Sequence, residues 1–498
     1  MACVAAVALG SAAADARRGS PYPWRGVIQA QYGSQFSARE RVRLLRFMGR
    51  NGFNAYVHAP KDDPYQRILW RDPYPTDRQR RLDADVALAG RLGIEWIPNV
   101  SPGIPGFASP GEGPPPGTTP SPPLCFSCPA EVDALLAKFE PFRQAGADTF
   151  MVSFDDVRSE FAHPVDALVY GEGDRAYGAA NGDLLSRLYA GLRQRDPAAR
   201  LLTVGADYSG TVDTEYLRGL RGALAPGIEV MWTGPGVEAR RFAPADADNY
   251  GLRVGRAPIV WENWTTTDLI RDPGMPPTRV FLGPYARGRG LAEHVRGFFF
   301  NPANEAELNF LPLATAADWL RHPRAYRPRR AFLREVRGLA GRQSAFLRAF
   351  AETSYSSTLR TSVEAPTFAG LAHRFLRVRR GRGNGLRQAA RLRRELALVM
   401  RARARLRRVK ALRPFLREAR PFLRSARLEA RSALVATKLL QARDAGRRQL
   451  LRHRLRRLMR RSAGHPQETF GSRSGVFGLT GNRVDSYVKR ARRLDRAR

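Results

Sequence analysis

The segment TFMVSFDD (149–156) is an apolar, β-rich run that leads directly into two adjacent aspartates. Neighbouring side chains of a regular strand point to opposite faces, so Asp155 and Asp156 can share a pocket only where the strand ends. An unpaired charge is costly in a protein interior. We therefore predict that the pair forms a strand-end turn with a functional role, in preference to a structural salt bridge or a helix N-cap.

Similar apolar runs recur between residues 25 and 320, and longer helical patterns separate them. Repeated βα units indicate a parallel sheet, and eight strands favour a closed barrel over an open sheet. The predicted strands are 26–32, 55–60, 95–100, 149–155, 200–205, 228–233, 258–263 and 295–300. Apolar residues at three- and four-residue spacing predict helices at 38–50, 77–92, 129–144 and 183–194. The fold class is thus α/β, a (β/α)8 TIM barrel followed by an all-α domain.

The chain has 498 residues, more than one ordinary domain needs, and its character changes near residue 325. We predict a leader-like segment at 1–22, the barrel at 23–325 and an arginine-rich helical domain at 326–498. Long helices are expected at 386–412 and 426–461.

A seven-residue duplication lies inside the helical domain, RPFLREA (413–419) followed by RPFLRSA (420–426). Pro421 should kink or restart the helix there. The repeat sets Phe415, Leu416, Phe422 and Leu423 on one face. A packed helical hairpin is the favoured interpretation of these side chains, ahead of a binding role.

Charge divides the chain even more sharply than secondary structure does. Residues 1–320 contain 34 Lys and Arg against 36 Asp and Glu, a net of −2, whereas 321–498 contain 49 against 10, a net of +39. Arginine suits planar contacts to phosphate or carboxylate, so an anionic partner for 326–498 is plausible. The alternative is that these arginines only form solvated helix faces. Net charge is evidence about solubility and association before it is evidence about function.

The remaining signals are weaker. Cys125 and Cys128 form a lone C-x-x-C, better explained by a surface loop disulfide or two ordinary thiols than by zinc. No apolar run is long enough to span a bilayer. The apolar start, with Ala12 to Ala14, is similar to a signal peptide without its basic region, which predicts a secreted or cell-surface protein if the segment is truncated and a cytoplasmic one otherwise.

Polar residues collect after the predicted strands, on the side of a (β/α)8 barrel where catalytic residues project. The Pro- and Gly-rich stretch 102–123 is a long loop on this side. The polar residues are Lys61 after the second strand, Asp155 and Asp156 after the fourth, Tyr208 after the fifth, Trp261, Asn263 and Asp268 around the seventh, and Asn301 after the eighth. Taken singly, Trp261 and Tyr208 could be rim aromatics and Lys61 a surface lysine.

Taken in order, several motifs resemble glycoside hydrolase family 84, the β-N-acetylglucosaminidases that include O-GlcNAcases. The motifs are NAYVHAPKDDP (54–64), WRDPYP (70–75), FDDV (154–157), WTGP (232–235), VWEN (260–263) with Asp268, LGP (282–284) and NP (301–302). The resemblance extends from Arg25 into the region after 325. Each motif alone is weak, but their order makes the match specific.

The resemblance implies a retaining, substrate-assisted hydrolysis of terminal β-linked N-acetylglucosamine (GlcNAc), an exception to the usual two-carboxylate scheme. The sugar's acetamido oxygen would attack the anomeric carbon and form an oxazoline. Asp155 would polarise the acetamido N–H, and Asp156 would act as general acid and base. Two carboxylates so close should raise one pKa. No metal and no cofactor are implied.

The other roles carried over from the resemblance concern substrate binding. Tyr208 would contact the acetamido or oxazoline oxygen, and Asn263 would brace the acetamido site. Lys61, Asp268 and Asn301 would bind sugar hydroxyls, Trp261 would wall the acetamido pocket, and Tyr32 joins the substrate-binding group. The implied partner is a GlcNAc-bearing glycan or glycoconjugate.

The chain departs from the family at the first strand, where Glu-Gly-Phe-Tyr-Gly is replaced by QAQYG (29–33) and a later Trp by Phe36. This change puts the sugar contacts in doubt and leaves Asp155 and Asp156 in place. It supports an alternative function, a weakened or non-catalytic GlcNAc-binding protein anchored to anionic surfaces by its basic domain. Nucleic-acid binding by 386–498 is a third hypothesis that rests on charge alone.

Overall fold

The computed structural model describes residues 20–102, 119–157, 159–268, 279–356, 364–381, 383–462 and 483–496. Most of the predicted leader and of the loop at 102–123 lie outside these residues. The chain forms two compact units. The first comprises the described residues of Met1–Thr266, Ala286–Ala306 and Ala316–Tyr326, and the second those of Thr267–Tyr285, Glu307–Thr315 and Arg327–Arg498. Residues 267–285 and 307–315 group with the second unit although they precede residue 325 in the chain. The domain boundary expected near 325 therefore stays a prediction.

The first unit is built on a closed barrel of eight parallel strands in sequence order, which confirms the (β/α)8 prediction. The strands are β1 Trp24–Gln29, β2 Ala55–His58, β3 Glu95–Val100, β4 Thr149–Ser153, β5 Arg200–Val204, β6 Glu229–Trp232, β7 Ile259–Glu262 and β8 Gly297–Phe300. Alternate side chains fill the interior, among them Ile28, Val57, Ile97 and Met151. Most of the predicted strands end one to three residues after the observed strands. The apolar pattern does not distinguish the last residues of a strand from the first residues of the following loop.

The barrel closes where β8 pairs with β1, with Trp24 opposite Gly297. Gly297 has φ 151°, and a Cβ atom there would lie 2.0 Å from the Trp24 carbonyl oxygen. No side chain fits at that distance, so glycine is required at the seam.

Helices surround the strands of the first unit. Their bounds are α1 Ala38–Asn51, α2 Thr76–Arg91, α3 Pro129–Gln144, α4 Pro164–Tyr170, α5 Gly173–Arg195, α6 Glu215–Ala223 and α7 Pro244–Val254, followed by α8 Phe310–Arg321 across a unit boundary. In α1, Ser37 and Glu40 form a capping box and Gly52 ends the helix in the left-handed conformation. These are the start and stop signals that fix a helix from its sequence.

The second unit is helical. Its helices are α9 Pro328–Ala340, α10 Ser344–Ala351, α11 Pro366–Arg380, α12 Leu386–Leu406, α13 Arg413–Glu418, α14 Arg420–Gln441, α15 Ala445–Ser462 and α16 Arg483–Arg496. The single helix expected at 426–461 is wrong, because Ala442 is extended and ends α14. Asp444 then accepts a hydrogen bond from the Arg447 amide at 2.7 Å, as an N-cap does.

The duplicated heptads contribute to the core of this unit. Phe415, Phe422 and Leu423 are buried, and Leu416 packs against them. Pro421 lies in the first turn of α14, so it restarts the helix as predicted. In the part of the chain that the structure describes, no helix combines the length and apolarity needed to cross a bilayer.

Candidate active site

The two adjacent aspartates follow β4, which ends at Ser153, and they form the predicted strand-end turn. Asp156 has φ 64°, a left-handed conformation that costs a non-glycine residue on the order of 1 kcal/mol and that Asp tolerates better than most. Asp155 is buried and Asp156 is exposed. The turn therefore gives two identical side chains different surroundings.

Asp155 is held by a buried ion pair with Lys61, which follows β2. The Lys61 ammonium contacts Oδ2 of Asp155, and it also lies 5.7 Å from the centre of the Trp261 ring. The other oxygen, Oδ1, is buried without a hydrogen-bond partner among the described residues. Asp155 thus presents one satisfied and one available acceptor.

Asp156 accepts two hydrogen bonds from tyrosine hydroxyls, Tyr32 to Oδ2 at 2.7 Å and Tyr208 to Oδ1 at 2.9 Å. Burial raises the pKa of both tyrosines, so the hydroxyls remain donors. Withdrawal from bulk water also raises the pKa of the Asp156 carboxyl. The positive charge of Lys61, the two hydroxyls and Arg67 outweigh this effect and hold that pKa below its usual value.

From the sequence we expected the proximity of Asp155 and Asp156 to raise the pKa of the general acid. For Asp156 this expectation is wrong, because its pKa is lowered. The physical reason is that the negative charge of Asp155 has its own counter-ion in Lys61, so repulsion between the carboxylates does not dominate.

A second cluster joins three of the predicted substrate-binding residues. Asn263 Oδ1 accepts hydrogen bonds from Trp261 Nε1 and from Asn301 Nδ2, each at 2.9 Å. Asn301 Oδ1 in turn accepts from the Ala30 amide at 3.3 Å. The ends of β1, β7 and β8 are thereby linked, and the side chains of Trp261, Asn263 and Asn301 are locked in orientation.

Asp268 is half-buried and groups with the second compact unit. Its assignment to sugar hydroxyls stays a prediction.

The altered residues of the first-strand motif are buried at the end of β1. Gln29 is buried and accepts a hydrogen bond from the Tyr56 hydroxyl. Ala30 is packed among the interior side chains. Gln31 is buried, and neither end of its amide has a partner among the described residues. The substitutions therefore leave the tyrosine contact to Asp156, made by Tyr32, intact.

Arg67 is a component of the site to which no sequence pattern pointed. It is buried, donates to the Lys61 carbonyl at 3.4 Å, and its guanidinium lies 5.7 Å from the centre of the Tyr32 ring. It follows the motif at 54–64 by three residues, directly after the short helix Pro64–Gln66. An arginine in so polar a segment resembles any surface arginine, so only the fold reveals it.

The C-x-x-C segment is a disulfide between Cys125 and Cys128, one of the two non-metal alternatives. Cys125 is buried rather than on the surface. Across the described ranges, no group of His, Cys, Asp and Glu side chains is arranged to hold a metal ion.

Comparison with known proteins places this geometry in a family. The family model of β-N-acetylglucosaminidase matches residues 25–352, which includes all of the barrel strands except the first residue of β1, and both clusters. The chain belongs to this family, glycoside hydrolase family 84. The resemblance read from the motifs is thus confirmed.

Individual relatives agree with this assignment. The chain is 28% identical over 301 residues to the Protein O-GlcNAcase of Rattus norvegicus and equally to that of Mus musculus, which is 59% of this chain and 29% of each relative. It therefore spans less than a third of their length. Among solved structures, a mutant of the Thermobaculum terrenum O-GlcNAc hydrolase has a TM-score of 0.77 at 25% identity, covering 95% of this chain and 94% of that one. CpGH84B shares the fold, with a TM-score of 0.77 at 20% identity over 95% and 77% of the two chains.

Proposed function

We propose that this member of the family is a retaining β-N-acetylglucosaminidase that removes terminal β-linked GlcNAc through an oxazoline intermediate. The observation that carries the proposal is the contrast between Asp155, buried against Lys61, and Asp156, exposed at the rim. Titratable groups with different surroundings take different roles.

Asp155 is suited to hold the sugar's acetamido group. Its Oδ1 is a buried acceptor without a partner among the described residues, and its Oδ2 is paired with the Lys61 ammonium. An acetamido N–H hydrogen-bonded to Oδ1 would orient the acetamido oxygen towards the anomeric carbon. An intramolecular nucleophile has a high effective molarity, so the protein needs none of its own.

Asp156 is suited to proton transfer because it lies at the exposed rim. A general acid must hold a proton before it reacts. We expect the glycosidic oxygen to replace one tyrosine hydroxyl at Asp156, which would raise the pKa of this carboxyl, because the tyrosine hydrogen bonds help to lower it in the free protein. Tyr208, once released, would donate to the acetamido oxygen. Asp156 would protonate the leaving oxygen and then deprotonate the water that opens the ring.

The remaining roles follow from the second cluster. Asn263 and Trp261 would form the wall of the acetamido pocket, and Asn301 and Asp268 would bind sugar hydroxyls. Lys61 was expected at the sugar hydroxyls too, but its ammonium is already paired with Asp155. We assign Lys61 primarily to holding that carboxylate. The substrate class is a GlcNAc-bearing glycan or glycoconjugate.

The test is turnover of a chromogenic β-N-acetylglucosaminide by the full chain, with the matching β-glucoside, which lacks the acetamido group, as control. Hydrolysis of the first and not the second supports substrate-assisted catalysis. Equal hydrolysis of both would refute the oxazoline route. Binding of GlcNAc without any turnover would instead favour the sugar-binding alternative suggested by QAQYG (29–33).

We also propose that the arginine-rich region 326–498 contacts polyanions and takes no part in cleavage. The support is the partition of charge, since 49 of the 83 Lys and Arg residues lie after residue 320 against 10 of the 46 Asp and Glu. Such charge attracts anionic polymers in a salt-dependent way.

A further inference from the structure

Four acidic side chains of the second compact unit are buried and paired within it. Glu352, Glu364, Glu395 and Asp495 are each at most 7% exposed and each pairs with an arginine. These carboxylates are therefore not available to the other arginines on the outer faces of the helices. With 49 Lys and Arg against 10 Asp and Glu after residue 320, most of the positive charge of this region is not cancelled.

Part of this charge converges on one groove between α15 and α16. The groove has a volume of about 490 Å³ and is lined by His453, Arg456, Met459, Arg460 and Arg492. His453, Arg456 and Arg460 follow one another at three- and four-residue spacing, so they share a face of α15. The Arg492 guanidinium comes from α16 and lies 3.9 Å from the sulfur of Met459.

The groove arginines are not neutralised locally. Arg456 and Arg460 are exposed, Arg492 is half-buried, and no ion pair with a described residue is formed by any of them. The nearby arginine Arg452, by contrast, is paired with Asp495. Arg452 therefore joins α15 to α16, whereas Arg456, Arg460 and Arg492 are available to a ligand.

The shape of the groove restricts its occupant. A volume of this size accommodates a few monomers of a single chain, as small-ligand sites do. Double-stranded nucleic acid is read by elements that project into its grooves, and a concave site offers none.

The surface chemistry restricts the occupant further. Single-stranded nucleic acid is normally bound on aromatic platforms, and no Phe, Tyr or Trp side chain in the described part of the second unit is exposed. Insertion into a membrane needs an apolar face, whereas the exposed large apolar side chains described in this unit are the isolated Leu386 and Leu450.

We propose that this groove binds a segment of a linear acidic polysaccharide through its carboxylate or sulfate groups. Arg456, Arg460 and Arg492 would each offer the planar fork that matches such groups. The choice of a glycan deepens the polyanion contact proposed above and fits a chain of a glycoside hydrolase family. It does not depend on the oxazoline mechanism.

The experiment compares two double variants of the full chain. Arg456→Gln/Arg460→Gln removes two groove charges, and Arg387→Gln/Arg391→Gln removes two exposed charges at the same spacing on α12. Binding of a size-defined heparin oligosaccharide is measured by calorimetry across a salt series. The groove variant should lose roughly tenfold or more in affinity with a shallower salt dependence, and the control variant less than about threefold.

Each other outcome overturns the proposal. Equal losses in the two variants would mean that diffuse charge, not the groove, binds the polymer. Tighter binding of a DNA duplex, a DNA single strand or anionic vesicles of matched charge would mean that the partner is a nucleic acid or a membrane. No measurable binding of heparin would mean that the groove does not bind an acidic polysaccharide. Turnover of a small neutral glycoside should be unchanged in both variants, so a failure of the catalytic proposal would be recognised separately.

Discussion

Lys61 and Asp155 form an ion pair that joins the ends of β2 and β4, with both side chains at most 6% exposed. Two buried charges are tolerated only as a pair. Loss of one partner leaves the other charge buried and uncompensated. This relationship gives the first prediction.

Lys61→Met should lower the free energy of unfolding by about 3–5 kcal/mol, because it leaves the Asp155 charge buried and uncompensated. Urea denaturation at neutral pH measures the change. The matched control is Lys489→Met, which breaks an ion pair with Asp485 whose side chains are 60% and 42% exposed, and which should cost less than about 1 kcal/mol. Similar losses in both variants would mean that the Lys61 pair is no more than a surface contact.

Asp156→Asn should reduce hydrolysis of glycosides with poor leaving groups far more than that of activated aryl glycosides, which need little protonation. General acid assistance contributes roughly 10²–10⁴-fold. The measurement is kcat/KM across a series of leaving groups. A uniform loss over the series would exclude Asp156 as the acid.

The pKa of Asp156, held below its usual value, makes a stability prediction with a definite sign. A carboxyl with a depressed folded-state pKa adds stability above its unfolded pKa, about 3.9, and loses it as the pH falls through the folded-state value. Tyr32→Phe/Tyr208→Phe removes two donors and so raises that pKa. The variant's deficit in unfolding free energy should be largest above pH ~4 and shrink below it. A deficit that grows on acidification would contradict the hydrogen bonds.

Removal of metal should leave activity unchanged, because the proposed mechanism uses only carboxylates, tyrosines and the substrate's acetamide. The described side chains also offer no metal cluster. The measurement is turnover before and after dialysis against EDTA. Loss of activity that a divalent ion restores would show that the proposed set of catalytic groups is incomplete.

The sequence predicted those parts of the fold that depend on local patterns. Eight apolar runs became the eight strands, and helix α1 was expected from its periodicity within one residue at its end. The break at Ala442 was missed because the residues around it are mainly Ala, Arg and Gln, which are good helix formers, although Asp444 was a readable cap signal.

The sequence predicted which residues belong to the site better than it predicted which contacts they make with one another. Asp155, Asp156, Tyr208 and Asn301 all follow strands, so their convergence could be expected. Which carboxylate Lys61 neutralises depends on how β2 and β4, which are separated by β3, end at the rim of the barrel, and residue spacing does not contain this information. The same holds for Arg67 and for the direction of the Asp156 pKa.

The seam at Gly297 also bears on how the protein is made. Its partner Trp24 lies 273 residues earlier in the chain, so β1 cannot complete its pairing until β8 has left the ribosome. At about 5–20 residues per second, synthesis of that interval takes tens of seconds. During this time the nascent barrel has open edges that can pair with other chains. Slower translation would prolong this exposure, so the yield of folded protein in an expression host should depend on how well its chaperones shield the unclosed sheet.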